Sequence, residues 1–243
     1  MNNSGNEKAL YANKTAECLV FLGMATVALL MTMTSLQVLA AGQPNSAGEQ
    51  HFVLEEGKHY DVLPVPIRQR YPDKIEVTEY FSYGCPHCFQ FDPMISRWKA
   101  DLPEDVIFNR TPAIWNPDYQ VLAQAYYTAE ALGILEKVHV PMFQAIHVDR
   151  KNLADAQAMA GFFQRFGVDP TDFVKVFKSF GVRSAMQQAE ARGRSYRAQG
   201  VPAFIINGKY LVEGRHTGSN TSMLPIVDRL IEKERASLPG KGS

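Results

Sequence analysis

Segments typical of β-strands lie on both sides of a long helical stretch, and this arrangement limits the folds open to the chain. Residues 74–83, 106–111 and 203–212 are rich in β-branched and aromatic side chains, and 59–65 could form a short first strand. Residues 117–199 show apolar side chains at helical spacing instead. A strand, a helix and a strand before that stretch predict a parallel pair. We therefore predict an α/β fold with a mixed central sheet flanked by helices.

The helical stretch is predicted to contain five helices. Gly133, Gly167 and Gly181 fall between them, as expected of glycines that cap helix C-termini. After the stretch, Asn207-Gly208 predicts a hairpin turn between two short strands. An amphipathic helix beginning near Met223 follows the hairpin.

Residues 1–40 carry the pattern of a secretory signal peptide. The stretch 18–42 has no charged residue, Lys8 and Lys14 precede it, and a small-residue cleavage pattern ends at Ala40. A retained membrane anchor is the alternative, because the uncharged stretch is long enough to span a bilayer. We expect cleavage after Ala40, a loose N-terminal arm at 41–58, and export to an oxidising compartment.

The overall composition excludes several classes of protein. Lys and Arg number 25 and Asp and Glu number 25, so the net charge of zero gives no basic face for nucleic acid. With 46% hydrophobic and 21% charged residues, the chain can bury a globular core. Three cysteines are too few for a disulfide-stapled scaffold or a cysteine-rich zinc site. We expect neither a metal nor a cofactor.

Cys85-Pro86-His87-Cys88 is the segment that can carry chemistry. Signal cleavage would remove Cys18 and leave these two cysteines three positions apart, at the predicted start of a helix. With Cys85 as N-cap and Pro86 as first helical residue, the positive helix end stabilises a Cys85 thiolate. His87 can donate a hydrogen bond to that sulfur and add charge, which lowers its pKa further. Cys85 is thus predicted to exchange disulfides and Cys88 to resolve them.

Two other interpretations of the cysteine pair are possible. A structural disulfide clip is one, although so tight a loop contributes little loop-closure entropy. Half of a zinc site is the other, but the chain has no second cysteine pair. His139 and His147 lie eight residues apart in a predicted amphipathic helix, where a solvated or core role is expected. A redox role for the pair is therefore favoured.

The residues around two motifs resemble the DsbA family of bacterial periplasmic thiol oxidases, which have a thioredoxin fold. The matching segments are 81–91 (FSYGCPHCFQF) and 199–210 (QGVPAFIINGKY), and the resemblance extends over nearly all of the chain after the signal peptide. It implies a thioredoxin-like domain in two parts, at 59–116 and 196–243. Between them it implies a large inserted helical domain at 117–195.

The resemblance also implies roles for residues outside the cysteine motif. Pro202 takes the position of the family's cis-proline beside the sulfurs, and Val201 precedes it as in the oxidases. Judged without the resemblance, Pro202 is an ordinary trans proline at the start of a strand, because cis bonds are the minority.

Three charged residues match a buried group beneath the family's cysteines. Glu79 matches the buried acid, and its place on an otherwise apolar strand face supports this; such a carboxylate would relay a proton to or from Cys88. A strand-edge acid that reaches solvent is the alternative. Asp92 and Arg110 match its charged neighbours, with a solvated surface pair as the alternative.

The function implied is that of an oxidase. It would donate a redox-active Cys85–Cys88 disulfide to reduced, unfolded or newly exported proteins in the periplasm, and a membrane oxidase of the DsbB type would reoxidise it. A reductase or isomerase like DsbC and DsbG is the alternative, but these carry an added dimerisation domain and a threonine where this chain has Val201. A non-enzymatic peptide-binding holdase is a third possibility. We expect a monomer.

Overall fold

Alternating apolar residues build a mixed sheet at the centre of the protein, and a computed structural model describes it over residues 53–237. The predicted signal peptide and the first part of the predicted arm lie outside these residues. The strands run in the order β1-β5-β4-β2-β3. Their bounds are Asp61–Val62 (β1), Ile75–Phe81 (β2), Val106–Pro112 (β3), Ala203–Ile206 (β4) and Tyr210–Glu213 (β5).

The pairing of the strands confirms the predicted parallel unit. β2 and β3 are parallel and are connected through helix α1 (Pro86–Ala100), whereas β4 pairs antiparallel with β2 and β5. The predicted hairpin is also present: Asn207 and Gly208 have φ values of 47° and 62°, and the Lys209 N–H donates to the Ile206 carbonyl. Glycine and asparagine tolerate this left-handed region best. The turn thus follows directly from the local sequence.

Five helices occupy the stretch between β3 and β4, as predicted, and two follow β5. Polar side chains begin most of the five, with Asn116, Asp155, Asp169 and Ser179 each accepting a hydrogen bond from a first-turn N–H. The helices are Pro117–Ala131 (α2), Leu135–His147 (α3), Ala156–Gln164 (α4), Pro170–Phe177 (α5), Phe180–Tyr196 (α6), Gly214–Thr217 (α7) and Met223–Ser237 (α8). Within residues 53–237, no helix is long and apolar enough to cross a bilayer.

The prediction that Gly181 separates two helices is wrong. Gly181 is the second residue of α6, because the Ser179 hydroxyl accepts the Val182 N–H and starts the helix before the glycine. Gly133 and Gly167 have positive φ values after α2 and α4, as expected of C-terminal caps.

The sheet is covered on both faces. Ile75, Val77 and Phe204 pack in one buried cluster with residues of α1 and α8. On the opposite face, Tyr80 packs with residues of the neighbouring strands and of α6. Helix α6 lies very close to Tyr80 at Gly193, where a Cβ atom would be 2.6 Å from the Tyr80 hydroxyl oxygen. A third cluster joins the helices of the 117–196 stretch to the end of β2 and to both cysteines.

Candidate active site

The two cysteines lie at the start of α1, where the chain leaves the end of β2. Cys85 is the N-cap of the helix in extended conformation, and Pro86 occupies the first turn. The Cys88 N–H donates to the Cys85 sulfur over 3.4 Å. Cys85 is 5% exposed and Cys88 is fully buried, whereas Pro86 and His87 are exposed. Both cysteines are free thiols. The outer sulfur therefore lies nearer to solvent at the helix end, while the inner one is enclosed.

The surroundings separate the acidities of the two thiols. The pKa of Cys85 is lowered from 9.0 to about 6, mainly because Cys88 donates a hydrogen bond to its sulfur, with further help from the backbone N–H groups of Cys88 and His87. Burial opposes this shift but does not reverse it. Burial raises the pKa of Cys88 well above its usual value, and the nearby Cys85 and Glu79 charges add to the effect. One stable thiolate is therefore expected, on Cys85.

The second motif lies against the first. The Val201–Pro202 peptide bond is cis, as the resemblance implied. The Cys85 sulfur lies 3.3 Å from the Val201 carbonyl oxygen, although the two residues are 116 positions apart. Pro202 is buried beside this contact and β4 begins directly after it. The segment before β4 thus forms one wall of the site.

Glu79, Arg110 and Asp92 form one buried ionic group. The Arg110 Nε donates to a Glu79 oxygen over 2.7 Å, and a terminal nitrogen of the same guanidinium donates to Asp92 over 2.9 Å. Their side chains are 9%, 1% and 7% exposed, in the order Arg110, Glu79 and Asp92. Such low exposures contradict the two alternative interpretations, in which Glu79 reaches solvent at a strand edge and Asp92 and Arg110 form a solvated surface pair. Although burial opposes it, the two carboxylates raise the pKa of Arg110.

His139 extends this group in a way that the sequence did not reveal. Its Nε2 lies 2.9 Å from an Asp92 oxygen, and its Nδ1 lies 2.8 Å from the Tyr83 hydroxyl. Because an ionised carboxylate only accepts, we assign the Nε2 proton to the Asp92 bond and the Tyr83 hydroxyl as donor to Nδ1. Although burial opposes it, His139 and Arg110 lower the pKa of Asp92. His139 therefore links α3 to the active-site end of β2.

A second histidine of α3 contacts the same segment. His147 Nε2 lies 2.8 Å from the Tyr83 carbonyl oxygen, and its ring stacks on Phe89 at a centroid distance of 4.9 Å. Both histidines thus bind Tyr83, two positions before Cys85. The one clue in the sequence was their spacing of eight residues along a single helix.

Comparison with known proteins identifies relatives over most of the chain. Residues 95–220 match the model of the DSBA-like thioredoxin domain. The thiol:disulfide interchange protein DsbA of Azotobacter vinelandii is 42% identical over 181 residues, which cover 74% of this chain and 85% of the relative. DsbA of Pseudomonas aeruginosa is 40% identical over 181 residues, covering 74% of this chain and 86% of the relative.

Solved structures show the same similarity. The crystal structure of Pseudomonas aeruginosa DsbA superposes with a TM-score of 0.71 at 40% identity, covering 74% of this chain and 94% of the other. The oxidoreductase DsbA from Xylella fastidiosa superposes with a TM-score of 0.71 at 33% identity, covering 75% of this chain and 98% of the other. The agreement extends over the sheet and the helical insert together, so the fold is the DsbA variety of the thioredoxin fold.

Proposed function

As a member of the DsbA family, this chain is a thiol:disulfide oxidoreductase, and we propose that it acts as an oxidase that donates a Cys85–Cys88 disulfide to other proteins. The observation that carries the proposal is the difference in acidity between its two thiols, with the pKa of Cys85 lowered to about 6 and that of Cys88 raised. Stabilising a thiolate stabilises the reduced protein, so the disulfide is given away more readily. Each pKa unit below neutrality corresponds to about 1.4 kcal/mol, or about 30 mV for a two-electron couple.

The proposed reaction has two steps. A substrate thiolate attacks the Cys85 sulfur, which breaks the protein disulfide and releases Cys88 as a thiolate that takes up a proton. A second substrate thiolate then attacks the substrate sulfur of the mixed disulfide and releases Cys85 as a thiolate. The low pKa of Cys85 makes it a good leaving group in this second step. The substrate leaves oxidised by two electrons and the protein holds them as two reduced sulfurs.

The other residues of the site are proposed to serve these steps. Glu79 exchanges the proton of the buried Cys88 sulfur, since its charge acts on that thiol. Asp92 and Arg110 hold Glu79 in place through the ionic group. His87 contributes to the low pKa of Cys85. Val201 and Pro202 present a backbone edge to the substrate chain beside the reacting sulfur.

Location, partners and domain division are also part of the proposal. The signal-like residues 1–40 support export to the periplasm. Newly exported, unfolded proteins would be the substrates, and a DsbB-type membrane protein would restore the disulfide of a monomeric enzyme. We keep the division into thioredoxin-like parts at 59–116 and 196–243 with a helical domain at 117–195.

A dithiol peptide tests the oxidase directly. The oxidised protein should form one peptide disulfide per protein molecule, and mass spectrometry of the peptide measures this yield. Cys85→Ser should form none. When Cys88→Ala is instead mixed with the oxidised peptide, its Cys85 thiolate should attack the peptide disulfide, release one peptide thiol and accumulate as a mixed disulfide, because the sulfur that would resolve it is absent. A holdase would keep its peptide affinity when both cysteines are replaced by serine. A reduction potential as low as that of thioredoxin, about −270 mV, would contradict the donor role.

A further inference from the structure

The segment that leads into the cis-proline is held by a buried acid on the neighbouring strand. We propose that Glu213 is a positioning residue that fixes residues 199–202, called here the proline loop, against Cys85. Glu213 is 3% exposed. One of its carboxylate oxygens accepts hydrogen bonds from two successive backbone N–H groups, those of Gln199 at 2.7 Å and Gly200 at 3.1 Å. The inference rests on the proposed function, since it concerns how substrate reaches that sulfur.

Regular secondary structure does not hold this loop. Helix α6 ends at Tyr196, and β4 starts only at Ala203. Backbone N–H groups in such a gap need partners, and an ionised carboxylate forms stronger hydrogen bonds with them than a neutral acceptor does. Glu213 is placed to supply this acceptor because it pairs with Ala203 in the β4–β5 ladder. The acid therefore does for the loop what a strand partner would do.

A cluster of charges fixes the orientation of the Glu213 carboxylate. The second oxygen of Glu213 accepts from the Arg215 Nε at 2.8 Å, and the same guanidinium also donates to Asp61. His216 Nδ1 accepts the Glu213 N–H at 3.0 Å. Potential ligand atoms of Asp61, Glu213 and His216 lie within 4.8 Å of one another, but the guanidinium already bridges the two carboxylates. We therefore interpret the cluster as an anchor for Glu213 rather than as a cation site.

The path from this anchor to the chemistry is short. Gly200 donates to Glu213, and the carbonyl oxygen of the next residue, Val201, lies 3.3 Å from the Cys85 sulfur. Releasing the Gly200 N–H lets the loop and the Val201 carbonyl move, while the helix-end environment of Cys85 stays intact. A substrate chain that binds along the loop backbone then has to order it on binding. The consequence is weaker substrate binding with little change in the rate of thiol exchange.

Steady-state oxidation of a dithiol peptide by the full protein, with a small-molecule oxidant to regenerate the disulfide, tests this inference. Glu213→Ala should raise KM about tenfold and leave kcat within about twofold, because a binding contact and not the reacting sulfur is affected. Glu213→Gln keeps an oxygen that can accept both N–H groups but loses the charge and the second acceptor that Arg215 uses, so it should recover only part of the loss. An unchanged KM in Glu213→Ala would overturn the inference.

Glu234 provides the matched control. It is another buried acid, 2% exposed, but its bonds go to Asn207 and Lys209 at the β4–β5 turn. Glu234→Ala should lower stability without raising KM. If it raises KM as much as Glu213→Ala does, the effect is a general loss of stability and the inference is wrong.

Hydrogen exchange gives a readout that does not depend on activity. The amides of Gln199 and Gly200 should exchange at least tenfold faster in Glu213→Ala than in the wild type or in Glu234→Ala. Unaltered protection would overturn the inference even if the peptide assay failed. An inactive wild-type protein would instead contradict the proposed function, and the exchange rates would still decide the role of Glu213.

Discussion

At the scale of single residues, two identical side chains three positions apart have opposite acid–base behaviour. Cys85 lies at a helix start with donors aimed at its sulfur, and Cys88 lies one turn inside, fully buried and near the Glu79 charge. Neither effect belongs to cysteine itself. The hydrogen bond from Cys88 and the N–H groups at the helix start stabilise the Cys85 anion, and desolvation disfavours the Cys88 anion.

This difference predicts a pH dependence of stability for the reduced protein. The folded pKa of Cys85 is about 6 against 9.0 when unperturbed, so between these values the unfolded state holds a proton that the folded state has released. Stability rises with pH where the unfolded state binds more protons. Relative to Cys85→Ser, the free energy of unfolding should therefore be larger at pH 9 and decline as the pH falls through about 6.

Urea unfolding of the reduced protein at several pH values measures this difference. The ultraviolet absorbance of the thiolate should titrate in parallel, with its midpoint at the Cys85 pKa. A difference between wild type and Cys85→Ser that stays constant across this pH range would contradict the low pKa.

Part of the site could be predicted because the information is local. The proline after Cys85 indicates the helix start, and alternation along residues 74–83 points Glu79 inward. His139 could not be assigned, because its partners Tyr83 and Asp92 are 56 and 47 positions away and only the packing of α3 brings them together. Local sequence patterns indicate which side chains are buried, whereas the hydrogen-bond partners of a buried side chain depend on the tertiary structure.

At the scale of elements, the predicted strands and helices are present, and the errors are one helix boundary and one short helix. Gly181 was misplaced because a serine two positions earlier starts α6. The four-residue helix α7 was missed because it is too short to show a periodic pattern. The hairpin could be predicted because its turn requires positive φ values at two successive positions. Few residues other than the Asn207 and Gly208 present there accept that conformation.

The hairpin provides a prediction at this scale. A Cβ atom on Gly208 would lie 2.3 Å from the Ile67 carbonyl oxygen, and the residue has a φ of +62°. Gly208→Ala should thus combine backbone strain with a clash against main chain and cost about 3 kcal/mol of unfolding free energy. Gly218→Ala is the matched control, since Gly218 has a φ of +68° and open space around it. Strain alone should cost about 1 kcal/mol there.

Urea unfolding at neutral pH compares the two glycine variants. Equal losses at both positions would show that contact with the segment at Ile67 contributes nothing. A large loss at Gly208 alone would show that this segment holds the turn from outside the hairpin.

At the scale of the whole molecule, the helical insert and the sheet share one interior. The cluster that contains Cys85 and Cys88 also contains buried residues of α2, α3, α4, α5 and α6. Gly193 allows α6 to lie directly against Tyr80 of β2. Sequence periodicity predicted these helices but not this docking, which depends on close contacts between distant segments.

Shared packing predicts cooperative unfolding, and the chain's two tryptophans can report it. Trp98 packs against Phe108 and Phe204 on the α1 side of the sheet, while Trp115 packs against Tyr80 and Tyr119 on the insert side. Fluorescence of Trp115→Phe then reports the α1 side and that of Trp98→Phe the insert side. In each variant the fluorescence midpoint in urea should coincide with the far-UV circular dichroism midpoint. Separate midpoints within one variant would show that the insert unfolds independently.

The position of β4 has a consequence for the timing of synthesis. This strand lies between β5 and β2 in the interior of the sheet, yet it follows all five helices of the insert. When a ribosome has completed α6, the nascent chain already carries both thiols but lacks Val201, whose carbonyl contacts the outer sulfur. Assembly around the sulfurs therefore has to wait for segments made last, and the emerging polypeptide displays its cysteines before the wall that Val201 contributes beside them exists.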